Sequence, residues 1–229
     1  FTDSVGVSSK SPVVSSKLNK TEDFLGGALA VAEMLSALGC KVNLLSYKSK
    51  NSFFINKLKY INKRINFLNI ATQKKIPRIS RFVTYKNAKL FQYYDFDKFH
   101  HNKVTDTNFK RYLTSKKYKD DNFMIIDFGF GLLNKSLIKI IEKKIKNFSL
   151  NVHANSLNSS FNKFVKYKKY GYLTMNKKEF QLGLNSASYD IKSLISESKY
   201  TKINYPFAVT LGEEGSLIIK NKNNSFFSP

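Results

Sequence analysis

Five groups of residues in this 229-residue chain combine tight-turn glycines with polar side chains in a way that could do chemistry. They are Gly26-Gly27, Asp127 with Gly129 and Gly131, Asn155, Asn176 with Glu179, and Thr210 with Gly212 and Gly215. Their oxygens and amides could hold phosphate, magnesium-bound water and sugar hydroxyls, but no nucleophile is paired with a base among them. The glycine pair stands just before a helical pattern, where free N–H groups and partial positive charge suit a hydroxyl-rich or anionic ligand. A plain tight turn accounts for the pair equally well. His100 and His101 fall in a charged linker and His153 in a strand-like run. None has a second ligand at metal spacing, so all three read as structural. The Walker phosphate-loop pattern and the dinucleotide GxGxxG are both absent, which argues against those nucleotide-binding classes.

Positioning such residues requires an alternation of strands and helices, and the chain supplies one. Val31, Leu35 and Leu38, with Met34 beside them, predict a helix that ends at Gly39, and Lys41–Tyr47 predicts the strand after it. Residues 1–20 read as extended chain. Residues 48–75 read as a surface helix, with Phe54, Leu58, Ile61, Ile65 and Leu68 at helical spacing, followed by a short strand. Residues 76–97 carry β-branched and aromatic residues on both sides of Lys86-Asn87-Ala88, a hairpin pattern that could pair with the N-terminal stretch as a small sheet. Residues 98–120 are charged and loosely helical.

The second half is more regular. Phe123–Asp127 is a compact apolar strand, and Leu133, Leu137, Ile141 and Ile145 stripe the helix after it. Ser149–Asn155 and Tyr172–Asn176 are strands, and the latter runs directly into a helix with Glu179 and Phe180. Tyr189–Lys199 is helical, and Phe207–Leu211 and Ser216–Lys220 are strands around a turn at Gly212–Gly215. This rhythm predicts an α/β fold in three αβα layers around a mostly parallel sheet. In such sheets ligands sit outside the carboxyl ends of the strands, where most of the polar groups above fall.

Composition narrows the classes. Hydrophobic residues make up 42% and charged residues 24%, an ordinary globular balance with no apolar run long enough to span a bilayer. Membrane association is not expected. The single cysteine, Cys40, reads as a packed thiol and suits a reducing cytoplasm. The net charge of +23, from 39 basic and 16 acidic residues, raises nucleic acid as a partner. Against a specific nucleic-acid surface, only Arg64, Arg78, Arg81 and Arg111 carry the guanidinium fork, and the lysines are spread along the chain.

Taken in order, these motifs resemble the ribokinase/PfkB carbohydrate kinases, and within them the heptose-kinase-like domains often joined to a nucleotidyltransferase. Phe24-Leu25-Gly26-Gly27-Ala28 resembles the family's sugar-binding signature, and Arg78–Val83 the lid strand that carries a basic residue, here Arg81, toward the sugar. Asp127–Leu132 resembles the heptose kinases' Asp-Tyr-x-Lys-Gly segment, Asn151–Asn155 the strand after it, and Asn176-Lys177-Lys178-Glu179 the Asn-x-x-Glu motif. Val209–Gly215 resembles the strand and turn beside the nucleotide. Phe130 stands where heptose kinases have lysine, and Asn151 and His153 where an Asp-Pro-Lys-like run is usual, so heptose 7-phosphate is not carried over as substrate.

The resemblance implies a single truncated ribokinase-like domain over residues 1–229, with a β lid at 1–20 and 76–97 and an αβα core at 21–75 and 98–229. It implies ATP-dependent phosphotransfer to a sugar or sugar-phosphate hydroxyl in nucleotide-sugar or lipopolysaccharide precursor metabolism. ATP and Mg2+ are the implied cofactors. Gly26, Gly27, Arg81, Asp127 and Asn155 would bind the sugar. Asn176, Glu179, Thr210, Gly212 and Gly215 would bind ATP and its phosphates, with Glu179 reaching the metal through water. The base aspartate is expected beyond Pro229 and an opening strand before Phe1, which leaves this chain inactive alone. A homodimer through the lid and a fused nucleotidyltransferase are implied partners. The alternative is a non-catalytic basic scaffold, associated with nucleic acid.

Overall fold

The computed structural model describes residues 1–7, 14–50, 56, 63–86, 88–97, 99, 103–118, 121–201 and 203–229. The chain divides into two compact units, residues 1–98 and 99–229, each described by itself. Phe54, Leu58, Ile61, Asn87, His100 and His101 lie outside the described residues.

The first unit contains β1 (Thr2–Val7), β2 (Val14–Leu18), α1 (Ala28–Ala37), β3 (Val42–Ser49), β4 (Ile65–Gln73), β5 (Arg78–Val83) and β6 (Lys89–Asp95). β1 pairs with β2 and β5 with β6, both antiparallel, while β3 and β4 run parallel from Val42 opposite Ile65. Ile65 and Leu68 therefore belong to a strand and not to the preceding helical stripe. Their neighbours Phe67 and Ile70 are β formers, and pairing with β3 overrides the local helical spacing. Among the described residues the two hairpins share no ladder; they meet where the Phe1 ring stacks on Tyr85 at 6.2 Å.

Leu29, Ala32, Leu44 and Ile65 form the core of this unit. The expected stripe on α1 is shifted: Leu29, Ala32 and Ser36 are buried, whereas Met34 is 68% and Leu38 81% exposed. Small Ala32 and Ser36 let the helix lie close on the strands, and Leu38 lies past the helix as its C-cap. Gly39, at φ +94°, then closes α1 with Cys40 N–H on Leu35 O and Gly39 N–H on Ser36 O, the six-to-one and five-to-two bonds of a Schellman turn. That turn directs Cys40 outward, so the thiol is exposed and not packed.

The second unit contains α2 (Lys103–Leu113), β7 (Phe123–Asp127), α3 (Lys135–Lys144), β8 (Phe148–Val152), β9 (Tyr172–Asn176), α4 (Lys177–Leu184), α5 (Ile191–Ser198), β10 (Phe207–Thr210), β11 (Ser216–Asn221) and β12 (Asn224–Ser228). Six strands form one sheet in the order β12-β11-β10-β9-β8-β7. β7 to β10 are parallel, and β11 and β12 extend the β10 edge as an antiparallel hairpin. Of the expected stripe, Leu137, Ile141 and Ile145 are buried and Leu133 is half-buried ahead of α3, while Ile138 joins them in the core; Asn134 caps the helix by accepting the Leu137 N–H at 2.9 Å. Leu150, Leu173, Val209 and the tilted ring pair Phe180 and Phe207 fill the core. Among the described residues no helix is long and apolar enough to cross a membrane.

Buried phenols give the fold an alkaline limit. Burial pushes Tyr47 up to about 12, and burial followed by the charge and hydrogen bond of Asp127 raises Tyr167 as well. A phenol with a raised folded-state value contributes stability fully below its unfolded value of about 10 and loses it as pH climbs through the folded value. Urea titrations should therefore show stability falling between about pH 10 and 12, with Tyr47 contributing about 2 kcal/mol. A Tyr47→Phe chain should lose correspondingly less; equal losses in the two chains would contradict the assignment.

Candidate functional site

Because β7, β8, β9 and β10 are adjacent and parallel, their carboxyl ends share one edge of the sheet. Asp127 stands opposite Val152, Asn151 opposite Thr174, and Asn176 opposite Thr210. At about 4.8 Å per strand, Asp127 and Thr210 lie roughly 14 Å apart, a rim long enough for two small ligands side by side. The structure thus brings together Asp127, Asn155, Asn176, Glu179, Thr210, Gly212 and Gly215. Gly26, Gly27 and Arg81 belong to the first unit.

Asp127 ends β7 and is 4% exposed. Its Oδ1 accepts the Gly129 N–H at 2.9 Å; its Oδ2 accepts the Tyr167 hydroxyl at 2.8 Å and pairs with Lys166 Nζ at 2.6 Å. Both carboxylate oxygens are thus engaged within the protein. Gly129 makes this turn possible, since it has φ +72° and a Cβ there would fall 2.6 Å from Asn158 Nδ2 and 2.7 Å from Asn162 Cγ. Those asparagines bind the neighbouring carbonyls. Asn158 Nδ2 donates to Phe128 O and Asn162 Nδ2 to Asp127 O and His153 O, at 2.8, 3.1 and 2.9 Å. Asn155 Oδ1 accepts the N–H groups of Leu157 and Asn158, which makes its oxygen the organiser of the loop after β8.

Asn176 and Glu179 form a reciprocal capping box at the start of α4. Asn176 Oδ1 accepts the Glu179 N–H at 2.8 Å, and Glu179 Oε2 accepts the Asn176 N–H at 2.9 Å. The other oxygen, Oε1, accepts the Ala154 N–H at 3.0 Å and lies 3.1 Å from His153 Nδ1. Glu179, 5% exposed, therefore ties the first turn of α4 to the end of β8. This leaves the Asn176 amide nitrogen without a partner among the described residues. Lys177 and Lys178 occupy the first turn, at the positive end of the helix dipole. Thr210 is exposed at the end of β10, and Gly212 has open space around its would-be Cβ and φ +69°. Gly215 closes the turn against Ser228 and Pro229.

In the first unit, Gly27 caps α1 at φ 63°, ψ −138°, a conformation suited to glycine, so the paired-glycine turn has a backbone reason. Gly26 has nothing within 4 Å of its would-be Cβ. Arg78 bonds Asp23 at 3.1 Å, tying the segment ahead of the glycines to β5. Arg81, an odd number of residues along that strand, faces the other way and donates to Gln92 at 2.9 Å.

Sequence reasoning missed Asn158, Asn162, Lys166 and Tyr167, which have no periodic pattern and are organised by the loop between β8 and β9. It also missed the contact of His153 with Glu179. The only available signal was the run of asparagines at 155, 158 and 162.

The donors at the rim fit an anionic, hydroxyl-bearing ligand: an uncommitted amide, two lysines at a helix start and an open glycine turn. Among the described residues no three His, Cys, Asp or Glu side chains gather to hold a metal ion directly.

No family model and no curated protein matches the chain. Solved structures do. Escherichia coli phosphofructokinase-2 in complex with fructose-6-phosphate aligns with TM-score 0.65 at 13% identity, over 99% of this chain and 74% of that one. The Burkholderia thailandensis nucleoside kinase in complex with inosine aligns with TM-score 0.58 at 12% identity, over 95% and 67%. A pyrophosphate-dependent kinase in the ribokinase family aligns with TM-score 0.59 at 11% identity, over 89% and 70%. The chain thus spans about two thirds to three quarters of the lengths of these proteins. Its fold is the ribokinase-like α/β fold, built on a mostly parallel sheet.

Proposed function

We propose that the full-length protein transfers a phosphoryl group from ATP to a hydroxyl of a sugar or sugar phosphate, in the manner of the heptose-kinase-like proteins that the sequence resembles. The observation that carries this reading is the rim itself: Asn176, Lys177 and the Gly212 turn supply donors for phosphate at the carboxyl ends of adjacent parallel strands. Bound MgATP would supply the γ-phosphoryl group and a cation that neutralises charge as the group moves. Asn176 and Lys177 would orient the phosphates, and Thr210 to Gly215 would flank the nucleotide. Glu179 has one lightly used oxygen, Oε2, through which a metal-bound water could be ordered. Gly26, Gly27 and Arg81 are assigned to the sugar, with residues 1–20 and 76–97 as the lid and a homodimer formed through it. Asp127 and Glu179 are committed to internal hydrogen bonds, so the proposal gives proton acceptance to an aspartate outside these residues. A fused nucleotidyltransferase, a role in nucleotide-sugar metabolism and a cytoplasmic location belong to the same reading.

Full-length protein supplied with a panel of sugars and sugar phosphates should release ADP with at least one of them. No release above background with any would overturn the reading. The exposed lysines 135, 139 and 143 on α3 favour a second reading, a basic scaffold. That reading predicts nucleic-acid binding with a steep salt dependence and no ADP release.

Lys177 offers a test with effects of opposite sign. A cation in the first turn opposes the helix dipole, so Lys177→Glu should stabilise the fold by about 0.3–1 kcal/mol. If the same lysine faces phosphate, the variant should also bind MgATP about five- to tenfold more weakly. Thermal denaturation and a nucleotide titration measure the two effects, and unchanged ATP affinity would remove Lys177 from the site.

A further inference from the structure

His153 is the third residue of the Glu179 clamp and has no role in the reading above. Its Nδ1 lies 3.1 Å from Glu179 Oε1, a contact in which the carboxylate can only accept, which favours the tautomer with the proton on Nδ1. Glu179 cannot swing away, because Ala154 N–H and Asn176 N–H hold its two oxygens at 3.0 and 2.9 Å. The imidazole also leans on the Phe128 ring, with centroids 5.4 Å apart. An imidazole fixed through Nδ1 presents Nε2 on its far side. The His153 side chain is 44% exposed, and Nε2 has no partner among the described residues. Its place is the carboxyl end of β8, between Asp127 on β7 and Asn176 on β9. A buried carboxylate that orients a half-exposed imidazole at a ligand rim is more than packing requires.

We propose that His153 is a specificity-determining ligand contact: in the neutral imidazole with Nδ1–H toward Glu179, Nε2 is a hydrogen-bond acceptor that takes a hydroxyl of a bound polyol. The donors around it select phosphate oxygens, which only accept; His153 supplies the complementary acceptor, which a hydroxyl can satisfy and an unprotonated phosphate cannot. The hydroxyl could belong to the sugar substrate or to the ribose of a nucleotide. The assignment rests on the rim being a ligand site, as proposed above, but not on phosphoryl transfer taking place there.

Two isosteres separate a contact from a prop. Asparagine places its amide nitrogen near the position of His153 Nδ1 and so keeps the contact with Glu179 while lacking Nε2. Glutamine reaches the position of Nε2 with an amide oxygen while giving up Nδ1. Binding of adenosine and of fructose 6-phosphate to the full chain is measured by titration for the wild type, His153→Asn, His153→Gln and His153→Ala, with thermal denaturation alongside. At least one probe should bind the wild type, and His153→Asn and His153→Ala should weaken that probe about three- to tenfold. His153→Gln should stay within about twofold of wild type. Loss with adenosine identifies a ribose hydroxyl, and loss with fructose 6-phosphate alone identifies the substrate side. Three results overturn the assignment: neither probe binds the wild type, His153→Asn binds like wild type, or His153→Asn restores what both His153→Gln and His153→Ala lose. Wild-type protein that binds a probe in this pattern yet releases no ADP would overturn the kinase reading and leave His153 as a ligand contact.

Discussion

Replacing Asp127 by alanine should remove about 4 kcal/mol of stability, the largest loss expected from any single rim substitution. The size follows from what the carboxylate holds. The Tyr167 hydroxyl and the Gly129 N–H depend on it, Lys166 pairs with it while also donating to Asn162 Oδ1, and Tyr167 is itself buried. Removing one partner of a buried pair costs about 3–5 kcal/mol, and an orphaned buried donor costs about 1–3. Lys166 is 28% exposed and can turn toward water, which keeps the total from growing further. Asp127→Asn should lose roughly half as much, since its oxygen still accepts from Gly129 while its NH2 meets the Lys166 ammonium. Urea denaturation of the full chain measures both. A loss under about 1 kcal/mol for Asp127→Ala would mean that the network is not formed in solution.

Glu179 should show the second-largest effect, and on two scales. Glu179→Ala removes half of the capping box and the acceptor for Ala154 N–H, so stability should fall by about 3 kcal/mol. Glu179→Gln keeps the shape and one acceptor, and should lose about 1.5 kcal/mol. In the full-length protein, Glu179→Gln should in addition lower the rate of ADP release about 10²-fold at saturating substrate, because charge placed for the transition state is lost. The structural and chemical roles then separate cleanly. A Glu179→Gln protein that is destabilised but turns over at the wild-type rate would leave Glu179 as a clamp only.

The second unit was largely legible in the sequence. Phe123–Asp127 and Tyr172–Asn176 are strands with the expected bounds, because short apolar runs ending at Asp or Asn leave little alternative. The Asn-x-x-Glu pattern was readable as well, since its spacing is that of a capping box as much as of a binding motif, and the structure uses it as one. The first unit was harder to read. On α1, the large apolar residues promised a core face, yet close approach to β3 and β4 selected small Ala32 and Ser36. At Ile65 and Leu68, pairing with β3 outweighed a helical spacing. The Asp127 network was beyond reach because its partners lie 35 and 40 residues away, at Asn162 and Tyr167, and no local pattern joins them.

The most direct test of the rim is to titrate the chain with MgATP and map the backbone amide shifts residue by residue. Changes should concentrate at Asn176–Glu179, Thr210–Gly215 and Ala154–Asn155, at the carboxyl ends of β8, β9 and β10. Shifts gathered instead on α3, around Lys135–Lys144, would show ATP held merely as a polyanion by surface lysines, and would contradict the account.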